Sequence, residues 1–159
     1  MNVRGGVMSF NKTQFRTVIE ETLKKIDKYS GNAVCLLLGT CAQESDFGTY
    51  LYQINGPALG VFQMEPATMR SLWCNYLNYR DNLVRIIYGA CGVVDADEYA
   101  LKTNLSFQII MARFKYYKVK EALPTTIEGY AKYWKTHYNT HKGRGTEEQF
   151  IKNYNRYVL

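Results

Sequence analysis

Apolar residues recur at helical spacing along most of the chain, with polar residues at the positions between them. Phe15, Val18 and Leu23 share one face of such a segment, which predicts a helix over residues 11–29. No stretch combines period-two alternation with hairpin turns, so we expect no substantial sheet. The pattern therefore predicts a mainly α fold. A length of 159 residues suits one domain spanning residues 1–159.

The most apolar segment of the chain covers residues 33–44, with the sequence AVCLLLGTCAQE. It is apolar nearly all round until its last two residues, which predicts a helix in the core. Residues 45–59 lose the helical period and contain glycine, asparagine and proline. We predict an irregular segment or a short, weak hairpin here, forming one wall of a cleft. Pro66 then suits the first turn of another helix.

Capping signals define the second half of the chain. We predict a short helix near residues 82–88, a turn over residues 89–97, and a helix that Asn104 caps and that ends before Pro124. The acidic turn at residues 95–98 lacks the glycine and the terminal glutamate of a calcium loop, so we expect it to cap a helix. Two further helices are predicted to begin at residue pairs with capping-box spacing. The first pair is Thr125 with Glu128, and the second, after a break at residues 143–145, is Thr146 with Gln149.

Composition narrows the possible partners. The formal net charge of +6 favours an anionic partner, but the basic residues are spread along the chain rather than clustered, so nucleic acid is not indicated. The longest apolar run, residues 33–38, is too short for a membrane span. Residues 1–6 lack the apolar core of a secretory signal. We therefore expect a protein without stable membrane insertion that is made in the cytoplasm and stays there unless something else releases it.

Cysteine and histidine positions do not indicate a bound metal or other cofactor. The four cysteines have neither CxxC spacing nor the density of a disulfide scaffold, so free, buried thiols are expected. His137 and His141 are four residues apart, but no cysteine or carboxylate completes a ligand pattern with them. We expect surface histidines and no cofactor.

Glu44 is the residue with the clearest chemical potential. It ends the apolar segment 33–44, where burial and the negative end of the helix dipole should both raise its pKa. A carboxyl group that stays protonated near neutral pH can donate a proton to a glycosidic oxygen. A glutamate at a helix end is more often solvated or ion-paired, so this position alone leaves both interpretations open.

Three short motifs add context to Glu44. They are AQESDF at residues 42–47, GVFQMEPAT at residues 60–68, and YAKYWKTHYN at residues 130–139. In this order they resemble the lytic transglycosylase and goose-type lysozyme group of the lysozyme-like superfamily, over about residues 33–145. That group has a Glu-Ser pair ending a buried helix, a Gly-Leu-Met-Gln-like stretch and an Ala-x-Tyr-Asn segment. This chain departs in having Val61-Phe62, and Thr140-His141 after Asn139.

The resemblance implies a lysozyme-like domain that cleaves the β-1,4 bond between N-acetylmuramic acid and N-acetylglucosamine in peptidoglycan. It implies that Glu44 is the catalytic acid and then the base, and that Tyr138 hydrogen-bonds it. The same resemblance implies saccharide-binding positions at Ser45, Phe62, Gln63, Met64, Tyr138 and Asn139. Gln63 has the alternative of capping the helix that starts at Pro66. Tyr50, Tyr52 and Phe62 have flat faces for sugars, or pack in the core.

The second step of the reaction separates the remaining alternatives. A transglycosylase uses the sugar's own 6-hydroxyl and leaves 1,6-anhydro ends, whereas a hydrolase uses water and commonly needs a second carboxylate. Asp46 and Glu65 lie near the motifs, with Asp95, Asp97 and Glu98 more remote, and none stands out. The single-carboxylate transglycosylase mechanism is therefore preferred, with a hydrolytic muramidase as the alternative. A catalytically silent structural or binding module of a phage particle is the third possibility.

Overall fold

The computed structural model describes residues 8–159, so the N-terminal residues 1–6 considered above lie outside it. In this part of the chain eight α-helices form a single domain, which confirms the mainly α prediction. A 3₁₀ turn, Leu77–Tyr79, follows α3, and a π-helical turn, Lys135–Asn139, follows α7. The helices are α1 (Lys12–Lys25), α2 (Gly31–Ser45), α3 (Pro66–Asn75), α4 (Asp81–Cys91), α5 (Glu98–Thr103), α6 (Leu105–Tyr117), α7 (Ile127–Trp134) and α8 (Glu147–Tyr157).

Helix α2 lies at the centre of the core, as its apolar sequence predicts. It packs against α1, α6, α7 and α8. Helix α8 comes close to α2 at Gly39, where an added Cβ would lie 2.4 Å from the Phe150 ring and 2.8 Å from the Tyr154 ring. Glycine at this position lets the two helices meet without a clash. The packing fixes the C-terminal end of α2, which carries Glu44.

Several helix boundaries follow the predicted capping signals. Asn104 accepts a hydrogen bond from the Phe107 amide at the start of α6, and Asp97 caps α5 in the same way. Thr146 and Gln149 form a reciprocal capping box at the start of α8. These short polar side chains satisfy amides that would otherwise lack partners in the first helical turn.

Other boundaries differ from the prediction. Helix α1 ends at Lys25 rather than near residue 29, because Asp27 adopts a left-handed φ of 54° and Ser30 caps α2 instead. Helix α7 is capped by Thr126 rather than Thr125, since the Thr126 hydroxyl accepts from the Gly129 amide. Helix α5 follows the acidic turn that was expected to cap a helix, although its bounds were not predicted.

The cysteines match their prediction only in part. All four are free of disulfide bonds. Cys41 alone is fully buried, whereas Cys35 and Cys91 are partly buried and Cys74 is exposed. The expectation of uniformly buried thiols is therefore wrong, because the α3 face carrying Cys74 is turned to solvent. No helix among residues 8–159 combines the length and apolar character needed to cross a membrane.

The segment between α2 and α3 has the weak hairpin character expected for residues 45–59. Isolated antiparallel bridges pair Tyr52 with Leu59 and Leu59 with Met64. The Leu59 and Met64 backbones exchange hydrogen bonds of 2.9 and 3.1 Å. This segment crosses the end of α2 and forms the wall of the candidate site.

Candidate active site

Glu44 lies in the last turn of α2 and is partly buried. The chain turns sharply just beyond it, since Asp46, Phe47 and Gly48 all have positive φ, at 47°, 55° and 85°. Left-handed backbone is costly for residues other than glycine, and such strained turns cluster at functional sites. The turn ends the helix one residue after Glu44 and directs the chain into the wall segment.

Ser45 holds this turn together. Its hydroxyl donates to the Cys41 carbonyl at 3.1 Å and accepts from the Gly48 amide at 2.9 Å, and the residue has no exposed surface. A side chain that is buried and engaged in this way cannot reach a sugar. The prediction that Ser45 binds substrate is therefore wrong, and its function is to brace the turn after Glu44.

Trp134 is the hydrogen-bond partner of Glu44. The indole N–H donates to Glu44 Oε1 over 2.8 Å, from the last residue of α7. The indole is fully buried and packs against the Phe150 ring, with centroids 5.4 Å apart. A Cβ added to Gly145 would lie 2.6 Å from the indole, so the turn after the π-helical segment also packs closely on it. These contacts hold the donor in one orientation.

Lys115 is the cation of the site. It projects from α6, donates to the Tyr138 carbonyl at 3.0 Å, and lies 4.0 Å from the centroid of the Tyr138 ring. Burial lowers the pKa of Lys115, while the negative charges of Glu44 and Glu65 oppose that shift. Lys115 therefore interacts electrostatically with both carboxylates.

The pKa of Glu44 is raised to about 7. Burial is the largest cause, because it disfavours the charged carboxylate, and it outweighs the hydrogen bond from Trp134 and the positive charge of Lys115, which both lower the pKa. The predicted direction agrees with this shift. Protonated and ionised forms are therefore both populated near neutral pH, as an acid that later acts as a base requires.

Tyr138 does not hydrogen-bond Glu44, so that prediction is wrong. Its hydroxyl donates to the Phe62 carbonyl at 2.7 Å, and the side chain is buried. Tyr138 lies in the π-helical turn, which has wider spacing than an α-helix. Trp134, the last residue of α7, donates to Glu44, and Tyr138 ties the wall segment to the helices.

Residues 60–64 of the wall segment are held from two sides. Gln108 accepts from the Val61 amide at 2.9 Å, and Tyr138 donates to Phe62. Phe62 is only 1% exposed, so the prediction that it offers a flat face to substrate is wrong. Its ring belongs to the core.

Gln63 and Met64 have local partners in the same wall. Gln63 has a left-handed φ of 48° and is partly buried, and its side-chain amide donates to the Gly60 carbonyl at 2.8 Å. It does not cap α3, whose N-cap is Glu65. Both backbone groups of Met64 pair with Leu59. Saccharide binding by Gln63 and Met64 therefore stays a prediction, supported only by their place in the wall.

The remaining predicted residues divide between structural and exposed positions. Asn139 accepts from Lys135 and packs against Gly143, so it braces the turn that supports Trp134. Saccharide binding by Asn139 stays a prediction. Tyr50 and Tyr52 are exposed in the wall segment, and Lys102 lies 4.8 Å from the centroid of the Tyr52 ring. Sugar binding by these two rings stays a prediction.

The remote carboxylates are engaged away from Glu44. Asp97 caps α5, the Asp95 side chain accepts from the Ala96 amide, and Glu98 forms an ion pair with Arg70. Glu65 is connected to the site through its effect on Lys115. A surface pocket adjoins Lys115 and is lined by Ala67, Thr68, Ser71, Leu72 and Lys118.

Sequence reasoning missed Trp134 and Lys115 as members of the site, because each looks like an ordinary residue of a helix. The sequence signal that could have identified them is chemical: an indole N–H and an ammonium group occur at positions where the helices pack inward.

Searches of protein-family models, curated proteins and solved structures found no match to this chain.

Proposed function

We propose that this protein cleaves the β-1,4 bond between N-acetylmuramic acid and N-acetylglucosamine in peptidoglycan, with Glu44 as the general acid. One observation carries the proposal. Glu44 ends a buried helix at a strained turn, accepts a hydrogen bond from a buried indole, and has its pKa raised to about 7. A structural glutamate has no need of this combination.

The surroundings of Glu44 suit a group that gives up a proton and later takes one. Protonated Glu44 would donate to the glycosidic oxygen as the bond breaks through an oxocarbenium-like transition state. The carboxylate left behind is stabilised by the Trp134 N–H and by the charge of Lys115. Because Trp134 is fixed by packing, little reorganisation is needed when the charge appears.

We prefer the transglycosylase route for the second step. Among residues 8–159 no other carboxylate forms a hydrogen bond or ion pair with any member of the Glu44–Trp134 pair. Ionised Glu44 would then take the proton from the 6-hydroxyl and leave a 1,6-anhydro end. A hydrolytic muramidase is the alternative, with Glu65 as the candidate second carboxylate, because Lys115 interacts electrostatically with both Glu65 and Glu44.

The proposed setting follows from the proposed reaction. Peptidoglycan strands would be the partner of a monomer that reaches the wall after release from the host cytoplasm or as part of a virion. The net charge of +6 supports association with an anionic cell wall, and this contribution should weaken as salt rises.

The test compares the parent, Glu44→Gln and Glu65→Gln on a suspension of purified cell walls. Glutamine keeps the shape of Glu44 and can still accept from Trp134, but it cannot donate the carboxylic proton. We expect clearing by the parent and a loss of at least about 100-fold in Glu44→Gln, within the range of general acid catalysis. Equal clearing by both would remove Glu44 from the mechanism, and no clearing by the parent would favour the silent module.

Glu65→Gln is the control that separates the two enzymatic routes. The transglycosylase route predicts clearing within about twofold of the parent and products lighter by one water than hydrated muramic ends, because it needs one carboxylate. Loss of clearing together with hydrated ends in the parent digest would identify the hydrolase instead.

A further inference from the structure

A second polar pocket lies on a surface that includes none of the residues of the Glu44 site. It forms where the loop after α1, the start of α4 and the end of α6 meet. Its lining combines cationic and tyrosine side chains with one carboxylate, Asp81, and includes Lys28, Tyr76, Tyr79, Arg80 and Tyr117.

The cations of this pocket are held on tyrosine rings. The Arg80 guanidinium lies 3.8 Å from the Tyr76 centroid and donates to the Tyr76 carbonyl at 2.8 Å. Lys28 lies 4.9 Å from the centroid of the Tyr117 ring. Lys118, which lines the neighbouring pocket beside Lys115, lies 5.7 Å from the centroid of the Tyr76 ring. A ring attracts a cation without neutralising it, so these groups are positioned while keeping their full charge.

A buried guanidinium lies directly behind the pocket. Arg113 is 7% exposed, lies 5.3 Å from the Tyr117 centroid, and donates through Nε to the Lys28 carbonyl at 3.0 Å. Within the described 8–159 region, the ion pairs are Arg70–Glu98 and His137–Glu121, so none of Arg113, Lys28 and Arg80 is ion-paired, and Asp81 is the carboxylate in the lining beside them. A buried charge without a counter-charge is unfavourable, and an anion in the pocket would relieve it.

We propose that this pocket binds the phosphate groups of a polyol-phosphate or sugar-phosphate polymer. Arginine and lysine donors suit phosphate oxygens, and tyrosine hydroxyls suit the hydroxyls of the polymer. Nucleic acid fits less well, because the Tyr76 and Tyr117 rings each already carry two cations. Bases cannot stack on ring faces that are covered, and Tyr79, 78% exposed, is the free ring of the pocket.

The test measures binding of a synthetic glycerol-phosphate oligomer to the full chain by titration calorimetry. Lys28→Gln and Arg80→Gln each remove one charge from the pocket, and Lys132→Gln removes one from the exposed surface of α7. We expect saturable binding by the parent, with Kd raised by about tenfold in each pocket variant, as loss of one charge-assisted hydrogen bond implies. Lys132→Gln should stay within about twofold of the parent, since surface charges alone contribute little.

Three outcomes would overturn the proposal. One is no binding by the parent, and another is an equal loss of affinity in Lys132→Gln and the pocket variants, which would indicate net charge alone. The third is tighter binding of an oligothymidylate with the same number of phosphates, which would make the pocket a nucleic-acid site. Thermal melts of each variant confirm folding, and Arg80→Lys, which keeps the charge, should recover part of the affinity.

Discussion

The hydrogen bond from Trp134 to Glu44 gives the sharpest prediction. Trp134→Phe keeps an aromatic ring in the core but removes the N–H that donates to Glu44 Oε1 over 2.8 Å. That bond favours the carboxylate and therefore lowers the pKa of Glu44. Its loss should raise the pKa above the present value of about 7.

The size of the shift follows from the strength of the bond. A hydrogen bond to a charged group contributes about 1.5–3 kcal/mol, and one pKa unit corresponds to about 1.4 kcal/mol. Full loss would therefore shift the pKa by roughly one to two units. Because Glu44 is only partly buried, water replaces some of the lost interaction, and we expect a pKa of about 8.

The assay is a ¹³C NMR titration of the Glu44 side-chain carboxyl, which needs no substrate. Trp73→Phe is a matched control, because Trp73 is equally buried and its indole nitrogen has no hydrogen-bond partner in the described structure. The control should lose comparable packing and leave the Glu44 titration unchanged. A Glu44 pKa that falls or stays constant in Trp134→Phe, or that rises equally in both variants, would refute the reasoning.

Two further predictions concern stability. Glu44 has a pKa of about 7 in the folded state against an ordinary value of 4.5. Its contribution to the stability of the folded state is therefore fully present below pH 4.5 and is lost as pH rises through 7. The unfolding free energy of Glu44→Gln minus that of the parent should therefore increase by about 1–3 kcal/mol from pH 4 to pH 8.5, measured by urea denaturation. A difference that does not change with pH would contradict the raised pKa. Tyr138→Phe leaves the Phe62 carbonyl without its partner and should cost about 1–2 kcal/mol in the same assay, with the Glu44 titration unaltered. A shifted titration with unchanged stability would place the Tyr138 hydroxyl on Glu44 instead.

Local sequence signals were sufficient for most of the fold. The apolar run at residues 33–44 identified the central helix, and short polar side chains such as Asn104 and Thr146 marked helix starts, because caps act within four residues. The failures were also local in origin. Thr125 and Thr126 both carry a hydroxyl that could cap α7, and the structure shows that it is Thr126 that accepts from the Gly129 amide.

The candidate site was predictable only in part. Glu44 could be found because its position at the end of an apolar helix is a local feature that also fixes the direction of its pKa shift. Its partners could not be found this way, since Trp134 lies 90 residues away and reaches Glu44 only through packing. A π-helical turn leaves no clear sequence signal, so the sequence could not show that Tyr138 donates to the Phe62 carbonyl while Trp134 donates to Glu44.

The most direct test of the central claim is mass spectrometry of the soluble muropeptides released from purified sacculi by equal amounts of the parent and Glu44→Gln. We predict disaccharide-peptides from the parent, with cleavage at N-acetylmuramic acid, and at most a trace from the variant. Equal release by the two proteins, or release of peptides without cleaved glycan, would contradict the assignment of Glu44 as the acid that cuts the strand.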